Sequence, residues 1–104
     1  MSVIMMCTTK VVTGKMAEYM GLEKKMWDAM KGVEGVPSSK RLMPVSGKDE
    51  MQHTIIYLTE FDSFADMDKF AATQNVPEFQ ALMPQFDAFI ESHQHDVFME
   101  TPMP

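Results

Sequence analysis

The apolar residues of this chain recur with periods that change from segment to segment, and the changes divide it into regular elements. Residues 3–12 (VIMMCTTKVV) are β-branched and apolar, lack Gly and Pro, and stop at Thr13-Gly14, a strand running into a turn. Over residues 15–33, Met16, Tyr19, Met20, Met26, Trp27, Met30 and Val33 fall within about 120° at 100° per residue, the stripe of an amphipathic helix whose end is flanked by Gly32 and Gly35. Residues 37–45 (PSSKRLMPV) make a weaker strand in which Pro44 lacks a ladder donor and favours an edge, and Gly47-Lys48-Asp49 supplies the next turn. Residues 51–61 (MQHTIIYLTEF) hold the continuous apolar run Ile55-Ile56-Tyr57-Leu58, the pattern of a central strand covered on both faces. Asp62 or Ser63 can cap a following helix on which Phe64, Met67, Phe70 and Ala71 repeat at helical spacing. Asn75-Val76-Pro77 interrupts it. Phe79, Leu82, Met83, Phe86, Phe89 and Ile90 then continue a helical stripe that Pro84 is expected to kink or split. Residues 95–101 (HDVFMET) predict a short last strand, and Pro102-Met103-Pro104 a frayed tail.

Strand, helix, strand, strand, broken helix, strand is the βαββαβ order of a ferredoxin-like α+β domain. Its four-stranded antiparallel sheet has the first and third strands at its centre and helices on one face. At 104 residues there is room for one domain, with a core over about residues 3–101. The sheet's other face keeps apolar positions that the short last strand cannot shield, and a second copy of the chain, in a homodimer, is the economical cover.

Composition narrows the function classes. The net charge is −6, and no Lys/Arg cluster exceeds the pairs Lys24-Lys25 and Lys40-Arg41, so no nucleic-acid partner and no anionic membrane surface is expected. The first residues lack a basic n-region and a long apolar h-region, and no apolar run approaches 18 residues, which predicts a cytoplasmic protein. Cys7 is the single cysteine, which excludes an intrachain disulfide and a cysteine-based zinc site within one chain. Methionine is over-represented, at 13 residues spread along the chain. Packing accounts for that distribution, and Met5, Met6 and Cys7 form the one soft-donor cluster to set against it.

The run from residue 3 into Gly14-Lys15, the segment Glu34-Gly35-Val36, and YLTEFDSFADMDKF followed by VPEF resemble the dimeric α/β-barrel superfamily. That superfamily includes antibiotic-biosynthesis-monooxygenase-like, NIPSNAP-like and stress-responsive barrel proteins. The resemblance covers residues 3–98 and implies two sheets paired into a barrel, with a pocket between helices and sheet in each protomer. It carries little chemistry across. Haem-degrading members use a histidine on the second helical region and an asparagine on the first strand, and residues 63–91 contain no His and residues 3–12 no Asn. Where monooxygenase-like members often place a tryptophan, between third strand and second helix, this chain has Phe61.

Among candidate site residues, Glu23 lies near the middle of the helix-one stripe, between Met30 and Met16 or Trp27, so its carboxylate faces the sheet. Without a partner such a group becomes an acid or base near neutral pH. The alternative is that the stripe widens locally and Glu23 reaches solvent or an Arg such as Arg41. His53 shares side-chain parity with Ile55, Tyr57 and Phe61; if that face meets helix one, Glu23, Trp27, His53 and Tyr57 converge, with Tyr19 and Phe61 as further substrate contacts, and the alternative is that His53, near the strand's start, caps a loop or touches the dimer partner. His93, His95 and Asp96 make an H-x-H-D cluster, but no further ligand is identified, so hydrated residues at a helix-to-strand junction explain it and no metal or other cofactor is expected. The expectation is therefore a homodimeric barrel protein with a pocket for an apolar or aromatic small molecule. It is either a cofactor-independent monooxygenase-like or isomerase-type enzyme using Glu23 and His53, or a non-catalytic ligand-binding or stress-associated protein.

Overall fold

A computed structural model of the chain describes residues 2–31, 33, 37, 39–47, 53–73 and 77–104. Its elements are β1 (Val3–Val11), α1 (Met16–Met30), β2 (Ser39–Leu42), β3 (Thr54–Phe61), α2 (Phe64–Thr73), α3 (Pro77–Asp87) and β4 (Ile90–Met99). The strands form one antiparallel sheet in the order β2-β3-β1-β4, with the two most apolar strands central. This is the ferredoxin-like α+β arrangement. Gly14, at φ +84°, makes the turn from β1 into α1, and the Ser63 hydroxyl accepts the Asp66 amide at 3.2 Å to cap α2. No helix among the described residues is long and apolar enough to cross a membrane.

Strand alternation gives the sheet two unlike faces. Toward the helices point Val3, Thr9 and Val11 of β1 and Ile55, Thr59 and Phe61 of β3, all buried. Val11, Ile55, Tyr19, Leu22 and Phe86 form the core cluster, with the Tyr19 and Phe86 rings edge to face at 5.5 Å. On the opposite face the register places Ile4, Met6, Ile56 and Leu58 at the centre, half-buried, flanked by exposed Leu42 and Phe98.

Three expectations change in detail. The last strand is ten residues long rather than a short segment from 95, because the helix ends at Asp87, where the Phe89 amide bonds the Phe86 carbonyl, and Ile90 already pairs with Val11. His93 and His95 consequently lie within a strand and not at its junction. Pro84 does not split its helix, since α3 continues past it from Pro77 to Asp87. The third strand begins at Thr54, because His53 adopts φ 60° in a turn. Gly32, Glu34-Gly35-Val36, Lys48-Asp49, Met51-Gln52 and Asn75-Val76 lie outside the described residues.

Ile55 is fully buried at the centre of the core cluster, whereas Val45 is fully exposed. Ile55→Ala is expected to lower the unfolding free energy by about 2–5 kcal/mol. Val45→Ala should change it by less than about 0.5 kcal/mol, both read by urea denaturation.

Candidate functional site

Helix α1 crosses the sheet with Tyr19, Leu22, Glu23 and Met30 buried against it. Glu23 is 6% exposed, so its carboxylate needs a counter-charge and donors. Both reach it from the sheet. Arg41 Nε on edge strand β2 donates to Glu23 Oε2 at 2.8 Å, and the Tyr57 hydroxyl on β3 donates to the same oxygen. Arg41 and Tyr57 are register partners, so one rung of the sheet presents both groups. The hydrogen bond to Glu23 in turn raises the Arg41 pKa.

The Tyr57 oxygen is 2.7 Å from the Tyr19 hydroxyl. With its own proton committed to Glu23, Tyr57 accepts here and Tyr19 donates. Burial, then the bond to Glu23, push the Tyr57 pKa far above the usual phenol value, and burial raises that of Tyr19. Both phenols therefore stay protonated at neutral pH. Trp27 completes one wall, its ring 6.2 Å from that of Tyr57.

Two hollows meet at this cluster. An open groove of about 490 Å³ is bordered by Trp27, Met30, Lys31, Arg41 and Tyr57. Between helices and sheet lies a second cavity of about 270 Å³, lined by Cys7, Thr9, Tyr19, Met26, Phe86 and His93 among others. Trp27 and Tyr57 border both. Glu23 borders neither; Tyr57 stands between its charge and the inner cavity, and Tyr57 and Arg41 together stand between it and the open groove.

Glu23, Tyr57, Tyr19 and Trp27 are thus brought together, and two other expected residues are not. His53 leaves the strand before its parity takes effect; its carbonyl accepts the Val11 amide at 2.8 Å, and its exposed side chain is four residues from Tyr57, roughly 13 Å along the strand. The expected Glu23–His53 acid/base pair is therefore absent. Phe61 is buried against Phe70 of α2, at 5.6 Å between centroids, and it is Phe70 that reaches the cavity wall. Met5, Met6 and Cys7 do not act together, because Met5 and Cys7 face the cavity and Met6 the opposite side. Burial also pushes the Cys7 thiol pKa up, away from thiolate chemistry. Among the described residues no group of three or more His, Cys, Asp and Glu side chains is arranged to hold a metal ion.

The sequence reading missed Thr9, which is 1% exposed and has its Oγ1 2.8 Å from His93 Nδ1. Its signal was a hydroxyl on the buried parity of an otherwise apolar strand.

No family model and no curated protein matches the chain. Solved structures do. A NIPSNAP family protein from Agrobacterium tumefaciens superposes with a TM-score of 0.80 at 18% identity, over 97% of this chain and 94% of that one. An uncharacterized NIPSNAP-like domain protein from Burkholderia xenovorans gives 0.76 at 11% identity, over 99% and 91%. SnoaB from Streptomyces nogalater, a cofactor-independent oxygenase solved as a mutant, gives 0.66 at 13% identity, over 98% and 95%. The structural neighbours are thus NIPSNAP-family and antibiotic-biosynthesis-monooxygenase-type proteins, and at these identities the likeness establishes the ferredoxin-like fold.

Tyr19 and Tyr57 are the chain's two tyrosines, so tyrosinate absorbance reads this cluster without a label. Their folded pKa values are raised, so their contribution to stability is complete below the ordinary value of 10.0 and is lost as pH rises above it toward the folded values. An alkaline titration followed at 295 nm should show little tyrosinate while the fold persists past pH 10.0, and its appearance should coincide with loss of the circular dichroism signal.

Proposed function

We propose that this chain is a homodimeric barrel protein that takes one small aromatic molecule bearing an acidic hydroxyl and accepts its proton through Tyr57 onto Glu23. The observation that carries this reading is that Tyr57 forms part of the cavity wall while its hydroxyl donates to a buried carboxylate. A ligand O–H that donates to the Tyr57 oxygen passes its proton there as the Tyr57 proton moves to Glu23 Oε2. The ligand O–H bond breaks, a ligand oxyanion remains, and Glu23 becomes neutral. Tyr57 stays protonated beside Glu23, so a ligand that yields must be a stronger acid than tyrosine, such as an electron-poor phenol or an enol. An engineered cavity of about 150 Å³ holds benzene, so about 270 Å³ suits a substituted ring or a compact bicycle.

An enolate or phenolate formed in this way is electron-rich, the starting point for tautomerisation or for cofactor-independent oxygenation. The description of SnoaB as a cofactor-independent oxygenase supports the second course. The alternative is a binding protein that holds the same ligand in its neutral form. A nitrophenol separates the two, because its anion is coloured, and Trp27, the single tryptophan, reports occupancy by fluorescence. Bound to the wild-type protein near its own pKa, the nitrophenol should shift toward the coloured anion, and Tyr57→Phe should abolish that shift while still quenching Trp27. Binding without ionisation, or equal ionisation by Tyr57→Phe, overturns proton acceptance and leaves the binding protein.

The homodimer is supported by surface and shape. The accessible area is 7179 Å², against roughly 5,900 Å² for a compact monomer of 11.8 kDa, and the radius of gyration is 14.7 Å against roughly 13 Å. The excess is of the order that a standard interface hides per partner, about 800 Å². The apolar face around Met6, Ile56 and Leu58 is its natural location. Sedimentation should give a dimer, and Leu58→Arg should convert it to a folded monomer. A wild-type monomer, or a Leu58→Arg dimer, overturns this assembly.

A further inference from the structure

His93 and His95 stand apart from the Tyr57–Glu23 group and play no part in proton acceptance. Strand alternation puts both on the helix-facing side of β4, opposite Thr9 and Cys7 of β1, whereas Asp96 pairs with Met6 and belongs to the other face. Both imidazoles border the cavity and remain exposed. Their rings meet edge to face, at 77° and 4.4 Å between centroids, and bring Nε2 to 3.3 Å from Nε2.

Two nitrogens bound to one tetrahedral ion at about 2.0–2.1 Å lie about 3.3–3.4 Å apart, which is the spacing of this pair. A hydrogen bond between the rings also spans it, but only as a long one. The other nitrogen of His93 supplies a second observation. Its Nδ1 is 2.8 Å from Oγ1 of Thr9, a residue 1% exposed. An imidazole that binds a metal through Nε2 carries its proton on Nδ1 and needs an acceptor for it. A buried hydroxyl on central strand β1 supplies that acceptor and fixes the ring plane. We infer that His93 and His95 form a two-histidine site for a first-row transition ion of the imidazole-preferring class, such as zinc, at the β4 border of the cavity.

Neutral imidazole nitrogens select this class over magnesium and calcium, which take oxygen ligands. Among the described residues no third His, Cys, Asp or Glu completes the group, so the protein supplies a two-point chelate. The remaining coordination positions fall to water or to an oxygen of a molecule in the cavity, which the ion polarises as a Lewis acid. This end of the cavity is distinct from Tyr57. Along one rung of the sheet Tyr57 and His95 flank Cys7, two strand spacings or about 10 Å apart at the backbone. The site therefore does not rest on the proton-accepting reading of Tyr57.

Long-range proton–nitrogen NMR on the ¹⁵N-labelled full chain, titrated with zinc sulfate at neutral pH, reads each imidazole nitrogen separately. Zinc should move Nε2 of His93 and Nε2 of His95 together along one binding curve, and leave His53, the third histidine, where it was. His93→Gln and His95→Gln, at exposed positions of an edge strand, should each abolish the shift at the remaining histidine of the pair. Thr9→Val keeps the shape but removes the acceptor and should weaken zinc binding about 10–100-fold, with Thr9→Ser restoring it. The site is overturned if zinc leaves the pair unmoved, since the 3.3 Å contact is then a hydrogen bond between rings and nothing more. It is equally overturned if zinc moves His53 to the same extent, or if either Gln variant binds zinc as the wild type does.

Discussion

The rest of the structure is arranged around a carboxylate that has been taken out of water. An unpaired buried carboxylate costs several kcal/mol, and removing one partner from a buried pair costs about 3–5 kcal/mol. The Arg41 side chain is 32% exposed, so screening places this pair at or below the lower end of that range. The obligation still fixes a good deal of geometry. It binds the short edge strand β2 to α1 through Arg41, sets Tyr57 to donate toward the helix, and gives Tyr19 its acceptor. An apolar residue of similar volume at position 23 would satisfy the packing with none of these demands. A carboxylate retained there, with three polar side chains organised around it, is better explained by chemistry than by stability.

Alternation along the strands turns that single obligation into a division of labour. The helix-facing parity of the central strands carries Val3, Val11, Ile55 and Phe61 as core, with Thr9 and Tyr57 inserted among them as the polar rungs of the site. The opposite parity carries Ile4, Met6, Ile56 and Leu58, an apolar surface without chemistry. In the proposed function, proton acceptance and self-association would occupy opposite faces of one sheet, separated by the backbone. At β4 the helical layer no longer fully covers its own face, so His93 and His95 remain exposed while lining the cavity.

Much of this was legible in the sequence, for identifiable reasons. The 3.6-residue stripe placed Glu23 against the sheet, and two-residue parity placed Tyr57 on the same face, so their meeting followed from periodicity. His53 shared that parity but not the strand, because parity counts residues and is blind to a left-handed φ, which at a non-glycine residue depends on tertiary context. Strand β4 was truncated in the reading because Phe89 and Ile90 continue a helical period through the turn at 88–89, and because His93, Gln94, His95 and Asp96 are polar on both faces. An edge strand half covered by helices has no apolar alternation to display. Phe61 was correctly placed on the helix side, but sequence spacing does not tell a core contact from a cavity wall.

A phenol between carboxylate and cavity has a chemical consequence that a carboxylate on the wall would not share. An ionised group facing a space of about 270 Å³ would hold water in it and attract any cation or donor. Behind Tyr57 the charge is hidden, the wall stays aromatic, and the basicity reaches the cavity only along the direction of one oxygen. The protons of Tyr57 and Tyr19 are already committed, so that oxygen recognises donors alone. A ligand with an ether or a carbonyl at the same place meets lone pair against lone pair and forfeits the hydrogen bond. In the proposed function, selection between a hydroxylated ring and its methylated analogue would therefore come from the donation order of the network rather than from the shape of the cavity. That order is set by the one group with no proton to give, Glu23.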